Sequence, residues 1–210
     1  FGDWKGPEPP PLKVGKQPAH RAHLSKETQQ TQVAIAYPSV PIGHPDYYAA
    51  LGAVNVLSGG MSARLFTEVR EKRGLCYAVW ATYTTFKDRA SVLCYAGTTN
   101  ERAQETLDVT LGELQRLQEG ISGDEVERVQ AGLKSSLIMQ EESTSARAGT
   151  LASDWYYLGR VRTPEEIQEA VEALAPRKIT NHLRRCPPRD FTIVTLGPKA
   201  LRLKRELVSA

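Results

Sequence analysis

The sequence predicts an α+β domain: a two-layer sandwich, with a mostly antiparallel sheet carrying helices on one face. Runs of bulky residues alternating with small ones, "TQVAIAY" (31–37), "LCYAVWATY" (75–83), "ASVLCYAG" (90–97) and "DFTIVTLG" (190–197), have the period of strands. Between the third and fourth runs, leucines and valines recur at helical spacing. The elements group as strand, two helices, two strands, four or five helices, strand. Strands and helices that cluster rather than alternate one for one point to an antiparallel sheet with segregated helices. The 210 residues, 40% hydrophobic and 24% charged, suffice for a full core without cross-links.

Each element has a local reason. In the first strand Val33, Ile35 and Tyr37 form one bulky face. "DYYAALGAVNVLSGG" (46–60) has Asn55 as its only interior polar residue, which marks a buried helix that Ser58-Gly59-Gly60 ends. A second helix starts near Met61, with Met61, Leu65 and Val69 at four-residue spacing and Phe66 beside them. Glu68 and Lys72 form a favourable i,i+4 pair there, and Gly74 is the stop. The next run places Tyr77, Val79, Ala81 and Tyr83 on one face and Cys76, Ala78, Trp80 and Thr82 on the other. Its alternation is read as a central or near-central strand with Trp80 in the core. "TTFKDR" turns it into a hairpin with the following strand. Leu107, Leu111 and Leu114 line a helix ending before Gly120. "SGDE" (122–125) is a capping box opening a long helix with Val126, Val129, Leu133 and Leu137. Leu151, Trp155 and Leu158 mark another helix. "TPEE" (163–166) caps one carrying Ile167, Val171 and Leu174, and Ile179 and Leu183 mark a last short one.

Three units divide the chain: a Pro- and Gly-rich linker arriving from an upstream half (1–18), a folded domain (19–198) and a basic tail (199–210). A net charge of +3 is too mild to imply nucleic acid. No run approaches the length of a membrane span. Cys76, Cys94 and Cys186 show neither metal spacing nor an even disulfide set, which favours a reducing, cytoplasmic setting.

Chemistry-bearing motifs are sparse. "HRAH" offers His20 and His23 at i,i+3 without a cysteine or carboxylate at ligand spacing, and reads as two polar loop histidines. His44 and His182 stand apart, and neither HxxEH nor HExxH occurs. Cys76 at a strand start reads as buried and inert. "SGG" lacks the Gly-Lys-Ser/Thr of a phosphate loop. Arg70 and Tyr77 remain, seven residues apart across the glycine break. By spacing alone they read as a solvated helix arginine and a half-buried strand tyrosine.

The stretch "LSGGMSARLFTEVREKRGLCYAV" (57–79) closely resembles the C-terminal, non-zinc-binding half of the pitrilysin/insulinase family of zinc metallopeptidases, which includes the mitochondrial processing peptidases. The resemblance extends over 17–198. It implies two homologous halves facing across a chamber, with zinc held by HxxEH and a distal Glu in the other half. It assigns no metal and no cofactor to this chain, and expects zinc in the partner half. It makes Arg70 and Tyr77 a pair that binds extended peptide beside the scissile bond. Arginine donates to peptide carbonyls and a phenol can meet a developing oxyanion. The helix where ligands would lie holds Tyr47, Tyr48 and Asn55 instead, so the chain alone is expected to be inactive. The partner half would precede it in one polypeptide or be a separate subunit, and a homodimer is compatible with the resemblance. The rival expectation is a non-catalytic peptide-binding or structural core protein of the same fold.

Overall fold

In the computed structural model, residues 20–203 together with Asp3, Gly6 and Gly15 are described. The linker reading of 1–18 and most of the basic tail fall outside them. A single sheet runs in the order β1-β5-β2-β4-β3. The strands are β1 (Arg21–Ser25), β2 (Gln30–Ser39), β3 (Cys76–Thr85), β4 (Ala90–Thr99) and β5 (Thr192–Gly197). β1 and β5 are parallel, and every other pair is antiparallel. The helices are α1 (Tyr47–Ser58), α2 (Ala103–Arg116), α3 (Gly123–Glu142), α4 (Thr144–Leu158), α5 (Pro164–Glu172) and α6 (Pro176–Arg185). A π-helical turn, Phe66–Glu71, precedes β3, and one turn of 3-10 helix, Leu117–Glu119, follows α2.

One face of the sheet is the core face. Val33, Ile35 and Tyr37 of β2, Val92 and Cys94 of β4 and Ile193 of β5 bury there against Leu57 of α1, Leu107, Leu111 and Leu114 of α2, and Ile179 of α6. The α+β two-layer expectation therefore holds. The capping box before α3 is present, Ser122 accepting from Glu125 N while Glu125 accepts from Ser122 N. Before α5 only half of it forms: Thr163 caps Glu166 N, and the Glu166 carboxylate turns to Arg160 instead.

Four expectations need correction. β3 is an edge strand, not a central one, and Trp80 is 40% exposed on the face away from the helices. A β-bulge lies between Cys76, paired with Thr98, and Ala78, paired with Gly97. It inserts Tyr77 as an extra residue, so Cys76 joins Val79, Ala81 and Tyr83 against the core while Tyr77 leaves that side at 82% exposure. Met61 is 75% exposed, because regular helix begins only at Arg64. Finally, "HRAH" is not a loop: His23 lies in β1, its Nδ1 2.9 Å from Thr195 Oγ1.

Candidate functional site

The site grows from two fully buried anchors, Leu65 and Val69, which fix the π-helical turn against the core. A π turn carries one residue more than an α turn, which widens the helix and re-aims the chain as it leaves. The wide bond here is Lys72 N to Thr67 O, 2.9 Å. Leu75 N then reaches back to Val69 O at 2.9 Å, and Gly74 N to Arg70 O at 3.0 Å. Gly74 has φ +58°, a left-handed conformation that glycine adopts without a Cβ penalty. Its carbonyl accepts from Arg102, and Thr98 Oγ1 donates to Leu75 O at 2.6 Å. The turn is thus tied to β4 and to the residue before α2.

This chain reversal brings Arg70 and Tyr77 together. The Arg70 guanidinium carbon lies 5.3 Å from the Tyr77 ring centroid and 4.7 Å from that of Phe66, both within cation–π range. Among the described residues nothing accepts from the Arg70 guanidinium, and the Tyr77 hydroxyl has no partner. Glu68, two residues before Arg70, is occupied by Lys72 and Arg73, each at 2.7 Å. Hydrogen bonds from those two cations hold the Glu68 carboxyl below its usual range. Burial pushes the neighbouring Cys76 thiol up, while Arg70 pulls the other way, leaving the thiol a poor nucleophile. The arrangement offers a fixed, unspent cationic fork beside an exposed phenol, two donors suited to oxygens of a bound chain.

The helix to which the family resemblance would assign metal ligands, α1, is otherwise engaged. Asn55 Nδ2 donates to Leu51 O at 2.9 Å, and Tyr48 OH lies 3.0 Å from Arg162 Nη1. Arg162 grips the buried Asp154 through both Nε and Nη2, at 3.0 and 2.7 Å. Asp46, the residue before α1, is likewise held, by Arg185 at 2.7 Å, and no three His, Cys, Asp or Glu among the described residues converge to hold a metal ion. The donor set does not fit a catalytic zinc.

Sequence reasoning missed Phe66 as the second ring on Arg70, the Asp154–Arg162–Tyr48 network, and a clamp at Arg64. Arg64 Nε and Nη2 reach the Glu125 carboxylate at 2.6 and 3.0 Å, Nη1 donates to Arg116 O and Nη2 to Gly120 O. The lone Asp154 within the otherwise uncharged "LASDWYYLG" was the one available signal.

A two-layer α+β unit whose described residues gather no metal-ligand set is the class that fold and site define. The chain belongs to the family described as the peptidase M16 inactive domain, whose model matches residues 1–133. It is 30% identical over 176 residues to the "uncharacterized zinc protease YmxG" of Bacillus subtilis, covering 82% of this chain and 42% of that protein. The fold is shared with the peptidase M16 inactive domain from Pseudomonas fluorescens (TM-score 0.78, 24% identity, 94% of this chain and 49% of that one). It is shared too with a protease from Helicobacter pylori (TM-score 0.82, 23% identity, 93% and 48%). The chain spans less than half the length of each.

Proposed function

We propose that this chain is the substrate-binding, zinc-free half of a zinc metalloendopeptidase that cleaves unstructured peptides between two facing halves. The observation that carries this reading is the Arg70–Tyr77 pair: a guanidinium held between two rings with its donors unspent, next to a phenol 82% exposed at a strand bulge. In this reading Arg70 binds carbonyls of an extended substrate, and the Tyr77 hydroxyl stabilises oxyanion charge near a zinc supplied by the homologous partner half. Zinc there would polarise the scissile carbonyl and activate water.

Residues 19–198 form the working domain in this scheme, with 1–18 the connection and 199–210 a tail. Among the described residues no helix is long and apolar enough to cross a membrane, and the three cysteines are free. Free thiols are consistent with a reducing, cytoplasmic compartment.

The test is steady-state kinetics of this chain assembled with its zinc-binding half. Tyr77→Phe is expected to lower kcat on the order of 10²-fold with the melting curve unchanged, as when one oxyanion donor is lost. Arg70→Ala is expected to raise KM as well, and Arg70→Lys to restore only part, because an ammonium lacks the planar fork. Unchanged kinetics in both variants would favour the structural-core alternative.

A further inference from the structure

The sheet face turned away from the helices holds a second set of fixed aromatic groups that the peptidase reading leaves unused. Trp80 of β3 and Tyr95 of β4 are directly paired across the strands, their rings stacked at 5.3 Å between centroids and 29° between planes. The Tyr95 hydroxyl donates to Gln32 Oε1 of β2, pinning the ring flat across three strands. Gly97 makes room for this: a Cβ there would sit 3.2 Å from both the Tyr95 hydroxyl oxygen and Gln32 Oε1. The positions around the pair on this face are small, Ala34, Ala36, Ala78 and Thr82 among them. No strand position on this face carries an Asp, Glu, Lys, Arg or His.

A natural edge strand is normally protected by charge or proline, yet β3, "CYAVWATYTT", has neither. Trp80 lies three residues beyond Tyr77, about 10 Å along the strand. Tyr77 and Trp80 are thus both exposed on the same edge strand. The absence of charge rejects ionised side chains, since burying one against this face would leave it unpaired.

We infer that Trp80 and Tyr95 form a specificity subsite that stacks one aromatic or large apolar side chain of an extended peptide, two to four residues from the segment held by Arg70. The two-to-four figure is the roughly 10 Å reach at about 3.3 Å per extended residue. This inference rests on the substrate-binding reading and adds to it the class of substrate: peptides with an uncharged, aromatic-bearing stretch.

The experiment uses the 210-residue chain and two fluorescein-labelled, unstructured nonapeptides, identical except for Phe or Ala at the centre, with binding followed by anisotropy. Wild type is expected to bind the Phe peptide on the order of tenfold more tightly. Trp80→Ala should reduce that ratio to about one while leaving the Ala peptide's affinity as it was. Arg70→Ala should weaken both peptides and keep the ratio, so the two proposals are read separately. Equal wild-type affinities, or a ratio that survives in Trp80→Ala, overturn the subsite while the Arg70 result still judges the substrate-binding reading. Failure of both peptides to bind overturns both. Should Trp80→Ala not fold, a central para-nitrophenylalanine peptide tests the contact in a Trp4→Phe, Trp155→Phe background. Stacking there quenches Trp80 emission on binding, and binding without quenching refutes it. Sedimentation in parallel covers the other occupant: a dimer that Trp80→Ala dissolves would assign the face to a second copy and overturn the inference.

Discussion

At the scale of single residues, the structure turns on charges that are nearly dry. The side chains of Asp154 and Arg162 are 1% and 12% exposed. Burial acts to raise the Asp154 pKa, but hydrogen bonds from Arg162 outweigh it and hold the carboxyl below its ordinary value of 3.8. A carboxylate with a depressed folded pKa stabilises the fold above its unfolded value and loses that contribution as pH falls through the folded one. Arg162→Met should therefore do two things. It should destabilise by roughly 3–5 kcal/mol at pH 7, because Asp154 is left charged and unpaired. It should also make the protein more stable, not less, on going from pH 7 to pH 5, as the stranded carboxyl takes up a proton. Melting curves across that range check both, and a pH slope like that of wild type would count against the pair. His182, 3% exposed, runs by the same logic with the opposite ion. Burial lowers its pKa from 6.5, and Asp46 at 3.4 Å only partly restores it. Its neutral form is the folded form, so stability is present above pH 6.5 and declines as pH falls below it. His182→Gln is expected to flatten the melting temperature between pH 6.5 and 5, and an unchanged slope would mean the acid sensitivity lies elsewhere.

At the scale of elements, two local irregularities decide what the site can do. A regular helix from Met61 and an unbulged β3 were the natural expectations of the sequence, because four-residue spacing and alternation are all that periodicity reports. One extra residue in the π turn and one in the bulge cannot be seen as pattern, yet they bring Arg70 to Tyr77 and lift the phenol off the core side. The same slip misplaced Trp80. An edge strand of uncharged residues alternates just as a central one does, and only the pairing order separates them. Trp80→Ala should consequently cost about 1–2 kcal/mol, the loss of a half-exposed stacked ring, rather than the roughly 3–5 kcal/mol of a buried one. A denaturant midpoint shift matching the larger figure would contradict its placement. The Arg64 clamp works at this scale too, joining the start of the π turn to the end of α2 and the cap of α3. Burial opposes ionisation of Glu125, but the bonds from Arg64 bring its pKa down to about 2. Arg64→Lys keeps the charge but cannot span Glu125, Arg116 O and Gly120 O together. Faster amide exchange over the first turn of α3, with the core of α2 unaffected, is the expected outcome.

At the scale of the whole molecule, the two-layer architecture was legible because, among the described residues, all six α-helices and four of the five strands declare themselves by period, cap or apolar run. β1 escaped because "RAHLS", with only two of its residues half-buried, has no alternation to read; its place is set by β5, far away in sequence. α4 packs little of itself inward. Of its fifteen residues only Asp154 is buried, while Leu151, Trp155 and Tyr156 are exposed. The chain is expected to show no zinc chemistry when alone, and the geometry gives the reason. The zinc chemistry of the family needs three protein ligands and an open position. Here α1 carries Asn55 bonded to its own backbone and Tyr48 bonded to Arg162, and Asp46 and Asp154 are each already paired with an arginine. His23, which pairs with His20 by spacing, has its Nδ1 on Thr195 and its Nε2 buried, so it cannot close a site at the surface. Chelator-washed protein should therefore hold no stoichiometric zinc and cleave no peptide. Adding a zinc-loaded partner half should restore cleavage that depends on Tyr77. One tightly bound zinc per isolated chain, lost in His20→Ala or His23→Ala, would refute this and return β1 to the chemistry of the molecule.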